Sequence, residues 1–164
     1  MGKLVPFHIL AGIKNDQQIV DMLDNVTILY AKLSFFENDG TMFKGSLNVV
    51  QQLASVFNKF DEICEQRQVY KVHSFGDFYV LMSYNGKLPK EKRRNQDLQI
   101  EEAYNIILAG FDMLTVVEEL QNMGNMIIRN SNLKIGIHTG KIVGALIGQN
   151  FVRYDIFGSD VKLT

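Results

Sequence analysis

The sequence is short of several things, and each shortage excludes a class of protein. It holds a single cysteine, Cys64, so no internal disulfide can form, and no N-terminal apolar run resembles a secretion signal. Together these point to a reducing, cytoplasmic setting. No apolar stretch approaches the roughly 20 residues that cross a bilayer, so no direct membrane insertion is expected. Charge of one sign is not in excess either: 17 Lys and Arg stand against 18 Asp and Glu. No global field therefore draws the chain to nucleic acid or to an anionic membrane surface, and any polyanion must be bound locally. What is present is apolar material, 46% of 164 residues, enough to bury the core of one domain.

Along the chain, residues 1–25 read as an N-terminal extension with a helical pattern around residues 17–23, and the domain proper is expected over residues 26–164. Residues 26–33 are β-branched and apolar, a largely buried strand followed by the turn-like Glu37-Asn38-Asp39-Gly40. From Ser46, a candidate N-cap, Leu47, Val50, Leu53, Ala54, Phe57, Phe60, Asp61 and Cys64 recur at three- and four-residue steps, predicting an amphipathic helix to about Glu65. Residues 69–74 and 77–82 then read as strands around a hairpin at Phe75-Gly76-Asp77.

Residues 86–97, rich in Lys and Arg, read as a surface insert. Helical spacing returns over residues 99–123 through Ile100, Ala103, Ile106, Ile107, Phe111, Leu114, Val117 and Leu120, ending near Gly124. Residues 133–138, the glycine-punctuated 140–148 and 151–157 are strand-like. The order is βαββαβ with a terminal extension, an α+β, ferredoxin-like sandwich. The polar close Gly158-Ser159-Asp160-Val161-Lys162-Leu163-Thr164 reads as a helix start, so the chain is expected to be truncated and cut from a larger membrane protein, on its cytosolic side.

Several features have plain structural explanations. Gly140, Gly144 and Gly148 lack the following Gly-Lys-Ser/Thr of a phosphate loop and fit strand bends and close packing instead. His8, His73 and His138 have no zinc-ligand spacing. Cys64 falls on an apolar helix face, where a buried inert thiol is the default. The cluster around Arg93 reads as a solvated loop ahead of a site for phosphates or lipid headgroups. A nucleic-acid-binding sheet would need interleaved exposed aromatics and arginines, which the strands do not carry.

Fold order alone hosts many functions, but four stretches carry more. Val26-Thr27-Ile28-Leu29-Tyr30-Ala31, then Val69-Tyr70-Lys71-Val72-His73-Ser74-Phe75-Gly76-Asp77-Phe78-Tyr79, then Leu133-Lys134-Ile135-Gly136-Ile137-His138-Thr139-Gly140, and Arg153-Tyr154-Asp155-Ile156-Phe157-Gly158 stand in this order. In that order they resemble the catalytic domains of class III adenylyl and guanylyl cyclases, and the last stretch resembles protist guanylyl cyclases with paired domains after a membrane section. The resemblance implies a lyase that closes GTP or ATP into a cyclic monophosphate with loss of pyrophosphate. It implies a head-to-tail dimer with sites between two domains, and two Mg or Mn ions held by two aspartates.

Residue by residue, the resemblance implies a mixed site. Asp77 matches the second metal aspartate, but Lys32 stands at the first. Leu33 opens the segment that should bring backbone amides to the triphosphate, and it is bulky. His73 and Asp155 match the base-reading positions, where adenylyl cyclases carry lysine and aspartate and guanylyl cyclases glutamate and cysteine. Lys162 stands where the family has a transition-state asparagine. No residue is assigned as catalytic with certainty. The expectation is one half of a dimeric cyclase, GTP ahead of ATP, inactive alone and completed by a second cyclase domain. The rival is a cyclase-fold regulatory or dimerisation module that has lost its site.

Overall fold

The computed structural model describes residues 20–36, 47–83, 95–123, 126–147 and 153–162. The elements are β1 (Val20–Phe35), α1 (Leu47–Arg67), β2 (Tyr70–Phe75), β3 (Phe78–Met82), α2 (Gln96–Met123), a short α3 (Met126–Arg129), β4 (Ser131–Ile147) and β5 (Arg153–Phe157). A 3-10 turn at Asp160–Lys162 follows. The sheet order is β2-β3-β1-β4-β5 with every neighbour antiparallel. Its first four strands have the split arrangement of the ferredoxin-like plan expected from sequence. The turn at residues 37–40, the Ser46 cap, the basic insert up to Arg94, Gly124, Gly148 and His8 lie outside the described residues.

One expectation is overturned at the start of the chain. The helical pattern around residues 17–23 gives way to strand from Val20 onward. Val20 to Leu23 pair with Ala145 to Ile142 of β4. Asp21 is buried between exposed Val20 and Met22, a period of two rather than 3.6. Asn25 adopts φ 55°, and the register against β4 shifts between Leu23 and Val26. Such a bulge bends the strand and increases its twist.

Two cores sit on the two faces of the sheet. Leu29, Ala31, Leu33 and Phe35 of β1 face α1, α2 and α3, meeting Phe60, Ile63, Ile106, Met113 and Ile128. Alternate residues Val26 and Ile28 face the other way and join Tyr70, Val72, Val80, Met82, Ile142, Tyr154 and Ile156. The second core is enclosed because the sheet curls. β2 and β5 are its opposite edges, yet the rings of Tyr70 and Tyr154 approach to 6.3 Å. A second bulge in β2, between Lys71 and His73, assists the bend.

The core-facing side of α1 is rotated from the expected one. Val49, Val56, Phe60, Ile63 and Cys64 are buried, whereas Leu47 and Val50 are exposed. The helix is apolar over a wide arc, and contact with the sheet selects only part of it. Arg67 closes α1 by donating from Nε and Nη2 to the Asp112 carboxylate of α2 at 2.6 and 3.1 Å. Cys64 is buried as expected, 3.3 Å from the Tyr79 hydroxyl, and burial pushes its thiol pKa up to about 11, so it is inert at neutral pH. The Tyr79 hydroxyl in turn donates to Asp61, which also accepts from Lys71 Nζ at 2.6 Å. The start of α2 is set by Asn95, whose Oδ1 accepts the Asp97 N–H at 2.9 Å, so the helix begins before the Gln99 expected from periodicity.

Two glycines are fixed by close packing. A Cβ on Gly144 would lie 1.8 Å from the Tyr154 hydroxyl, and one on Gly140 would lie 2.3 Å from Asp160 Oδ2. Both agree with the close-packing reading of these positions.

Candidate active site

The β2–β3 hairpin turns on Gly76 and Asp77. Gly76 has φ +55°, a left-handed conformation that glycine enters without the steric cost of a Cβ. This aims Asp77 back at β1. The Leu33 N–H donates to the Asp77 carbonyl at 2.9 Å, which ties the turn to the end of β1. The Asp77 carboxylate then lies 3.9 Å from Lys32 Nζ. Lys32 Nζ also sits 5.0 Å above the Phe78 ring. Both partners of the ion pair are more than a third exposed, so its worth is in the range of about 0–1 kcal/mol. Its effect is on charge placement. The Leu33 side chain is fully buried, and its amide is already engaged.

The two positions for which the resemblance implies base reading, His73 and Asp155, also meet. His73 Nδ1 lies 3.2 Å from Asp155 Oδ1, a close approach without the alignment of a hydrogen bond. Asp155 accepts from Arg153 Nη2 at 3.1 Å and from the Ile156 N–H at 3.0 Å. This contact joins the two edges of the curled sheet. Burial holds the His73 imidazole below the usual histidine range; Asp155 pulls it up and Arg153 pushes it down.

Two phenylalanines that the sequence reading passed over connect the pairs. The His73 and Phe75 rings are 5.2 Å apart, and Phe75 stacks on Phe78 at 5.1 Å and 14°. A continuous line therefore runs Asp155, His73, Phe75, Phe78, Lys32, Asp77. The signal was present in the sequence: residues flanking a two-residue turn face each other on one side of the hairpin. Lys162 stands apart, exposed on the turn that follows β5. Its N–H donates to the Ser159 carbonyl at 3.1 Å, and its side chain forms no ion pair among the described residues. That turn is pinned by Asp160, which accepts the Lys141 N–H at 2.7 Å and lies 3.7 Å from His138 Nε2.

Residues 19–164 match the family described as Adenylate and Guanylate cyclase catalytic domain. The chain belongs to that family. Among relatives, a membrane guanylyl cyclase of Dictyostelium discoideum is 28% identical over 166 residues, covering 100% of this chain and 10% of that protein. A guanylate cyclase of Toxoplasma gondii (strain ATCC 50853 / GT1) is 30% identical over 168 residues, covering 98% of this chain and 4% of that protein. The chain thus spans a tenth or less of these curated relatives. The guanylate cyclase domain of RhGC from Catenaria anguillulae, solved in complex with GTP, superposes with a TM-score of 0.63 at 15% identity over 87% of this chain and 71% of that one. The cyclase catalytic domain, with a fold of the α+β class, is the family identity of this chain.

Domains of this cyclase class work with divalent cations, and the residues present here do not fit one. The resemblance implies a carboxylate ligand where Lys32 stands, and the Lys32 ammonium lies 3.9 Å from the Asp77 carboxylate, so a divalent ion added at Asp77 would meet a positive charge. Among the described residues no group of three or more His, Cys, Asp or Glu side chains is placed to hold a metal ion. In this cyclase domain Asp77 is an ion-pair partner of Lys32.

The His73–Asp155 contact gives a pH prediction. The unfolded chain binds a proton on His73 near the ordinary histidine value, about pH 6.5, whereas the folded chain does so only at lower pH. Folding is therefore most favoured above about pH 6.5 and weakens as pH falls through and below that value. In His73→Gln this loss should shrink, read as a smaller drop in Tm between about pH 7 and about pH 5.5 than in the native chain. Equal drops in the two proteins would show that His73 is not buried against Asp155.

Proposed function

We propose that this cyclase domain is one half of a heterodimeric nucleotidyl cyclase, forming the wall of a shared cleft while a companion cyclase domain supplies the metal-binding carboxylates. The single observation that supports this reading is the Lys32–Asp77 ion pair, an internal charge balance where an autonomous site needs two carboxylates. Within such a cleft this chain's own groups bind and orient. Lys32 offers a cation to the phosphates of the nucleotide, Asp77 fixes where that cation sits, and the Phe75 face presents an exposed ring beside it. GTP is proposed ahead of ATP because the relatives at 26–30% identity are guanylyl cyclases, of protists and of Caenorhabditis elegans. The setting proposed is the cytosolic side of a larger membrane protein, with Mg or Mn bound on the companion. No helix among the described residues is long and apolar enough to cross a membrane.

The reading predicts no measurable cyclic nucleotide from the isolated chain with Mg or Mn, and turnover when it is mixed with its companion domain. In the mixture, Asp77→Ala should lower turnover by roughly 10–100-fold, because the released Lys32 no longer holds its place by the phosphates. A second reading, a regulatory or dimerisation module, is favoured by the closed His73–Asp155 contact, which leaves the base-reading groups turned on each other. Unaltered turnover in the Asp77→Ala mixture decides for that module, and robust turnover by the isolated chain removes both readings.

A further inference from the structure

Helix α2 carries more apolar surface than its own domain covers. Ile106, Ala109, Gly110, Met113 and Val117 are buried against the rest of the fold. A second set, Ile100, Tyr104, Ile107, Phe111 and Leu114, is exposed, with Tyr104 and Phe111 at 58% and 62%. These five recur at steps of four, three, four and three, the 3.5-residue spacing of a helix–helix seam. They run for about 21 Å along one side of α2.

The stripe adjoins the buried sector on the side towards β4. The side chain nearest Gly110 across that boundary, after Leu29, is Ile137, itself 42% exposed. At the N-terminal end the stripe opens into a hollow of about 470 Å³, lined by Ile100, Ala103 and Thr139 together with the amides of Asn25, Gln96 and Gln99. α2 and β4 thus form two sides of a groove with an apolar wall. A contiguous run of large exposed apolar side chains is a mark of an interaction surface.

Charge selects the occupant. α2 contains six acidic residues and no basic one. Of these, Asp97 and Glu101 lie at one end of the stripe and Glu118 and Glu119 at the other, all exposed. A second copy of α2 would bring acid to acid at both ends, whether it lay parallel or antiparallel, and like charges across a seam are disfavoured. An anionic membrane surface is repelled for the same reason. We propose that this groove docks a partner helix with an apolar seam of 3.5-residue spacing and basic residues at both ends. The surface lies on the helix side of the sheet, away from the Lys32–Asp77 pair, so the inference is independent of turnover.

The test uses two synthetic helical peptides of roughly 20 residues, the length that spans the stripe with its acidic ends. Both carry leucine at three- and four-residue steps; one has lysine at each end, the other glutamate. Fluorescence anisotropy with the whole chain should give binding of the lysine peptide at least about tenfold tighter than the glutamate peptide, with the gap closing at about 0.5 M salt. Tyr104→Ser/Phe111→Ser, with two exposed rings removed and a far-UV spectrum checked for folding, should weaken the lysine peptide by at least about tenfold. Glu101→Lys/Glu118→Lys, which alters no packed side chain, should reverse the preference between the peptides. Equal binding of both peptides, unchanged binding by the serine variant, or an unreversed preference in the lysine variant each overturns the proposal. So does concentration-dependent dimerisation of the native chain that Phe111→Ser abolishes, since that outcome assigns the stripe to self-pairing.

Discussion

Gly144→Ala is expected to destabilise the domain by about 3 kcal/mol, the upper part of the range for overpacking a core. The new methyl would stand 1.8 Å from the Tyr154 hydroxyl and 2.3 Å from Cζ of its ring. Neither neighbour can yield freely. Tyr154 is fully buried, its ring lies against Tyr70, and it belongs to the core enclosed by the curled sheet. Displacing it pushes β5 away from β4 and opens the contact between β5 and β2. At this chain length the cost corresponds to a Tm drop of roughly 6–12 °C. A double-mutant cycle is diagnostic. Tyr154→Phe should rescue little, because the ring carbon alone is too near, whereas Tyr154→Leu should recover a measurable part of the loss. Additive effects of Gly144→Ala and Tyr154→Leu would show that the two residues are not in contact.

Lys32→Asp is expected to give the chain a response to divalent cations that the native sequence lacks. The substitution removes the ammonium beside Asp77 and places a second carboxylate at the end of β1, opposite the hairpin turn. Without metal, two like charges face each other and stability falls. With Mg or Mn, hard oxygen ligands from both strands become available to one ion. At a free ion concentration roughly ten times Kd, binding to the folded state alone adds about 1.4 kcal/mol, or roughly 3–5 °C in Tm. The native chain should show no cation-dependent shift under the same conditions, and EDTA should reverse the gain in the variant. A native chain stabilised as much as the variant would falsify the reading of Lys32 as an obstacle to metal. That result would move the metal site into this half and remove the need for a companion to supply it.

The helices show how far periodicity reaches. The spacing of Ile100, Ile106, Ile107, Phe111, Leu114 and Val117 announces a long amphipathic helix, and α2 is one. It does not say that Ile106 and Val117 are buried while Ile100, Ile107, Phe111 and Leu114 are exposed. Which part of a wide apolar arc meets the sheet depends on what packs beside it. The same holds for α1, where Leu47 and Val50 fit the period but face solvent. The extension of β1 to Val20 was illegible for a related reason: residues 20–23 are stable as strand only because β4 is long enough to pair with them.

The site divides in the same way. Gly76-Asp77 as a turn, Cys64 as a buried thiol and the β-strand character of the hairpin were all readable from residue type and local pattern, because turn chemistry and burial preference are properties of short segments. Resemblance to a cyclase singled out Lys32, Asp77, His73 and Asp155, but no local pattern told that they would pair with one another. Lys32 meets Asp77 because the hairpin folds back on the end of β1, and His73 meets Asp155 because two bulged strands curl the sheet until its edges touch. By itself, then, the sequence determined the βαββαβ order of the core elements and the α+β class, since these follow from periods of a few residues, while a lysine at the position of a metal-ligand carboxylate is what the resemblance implies for Lys32. Only the tertiary structure decided which charges neutralise each other and which side of α2 is left uncovered, since both depend on contacts between segments tens of residues apart in the chain.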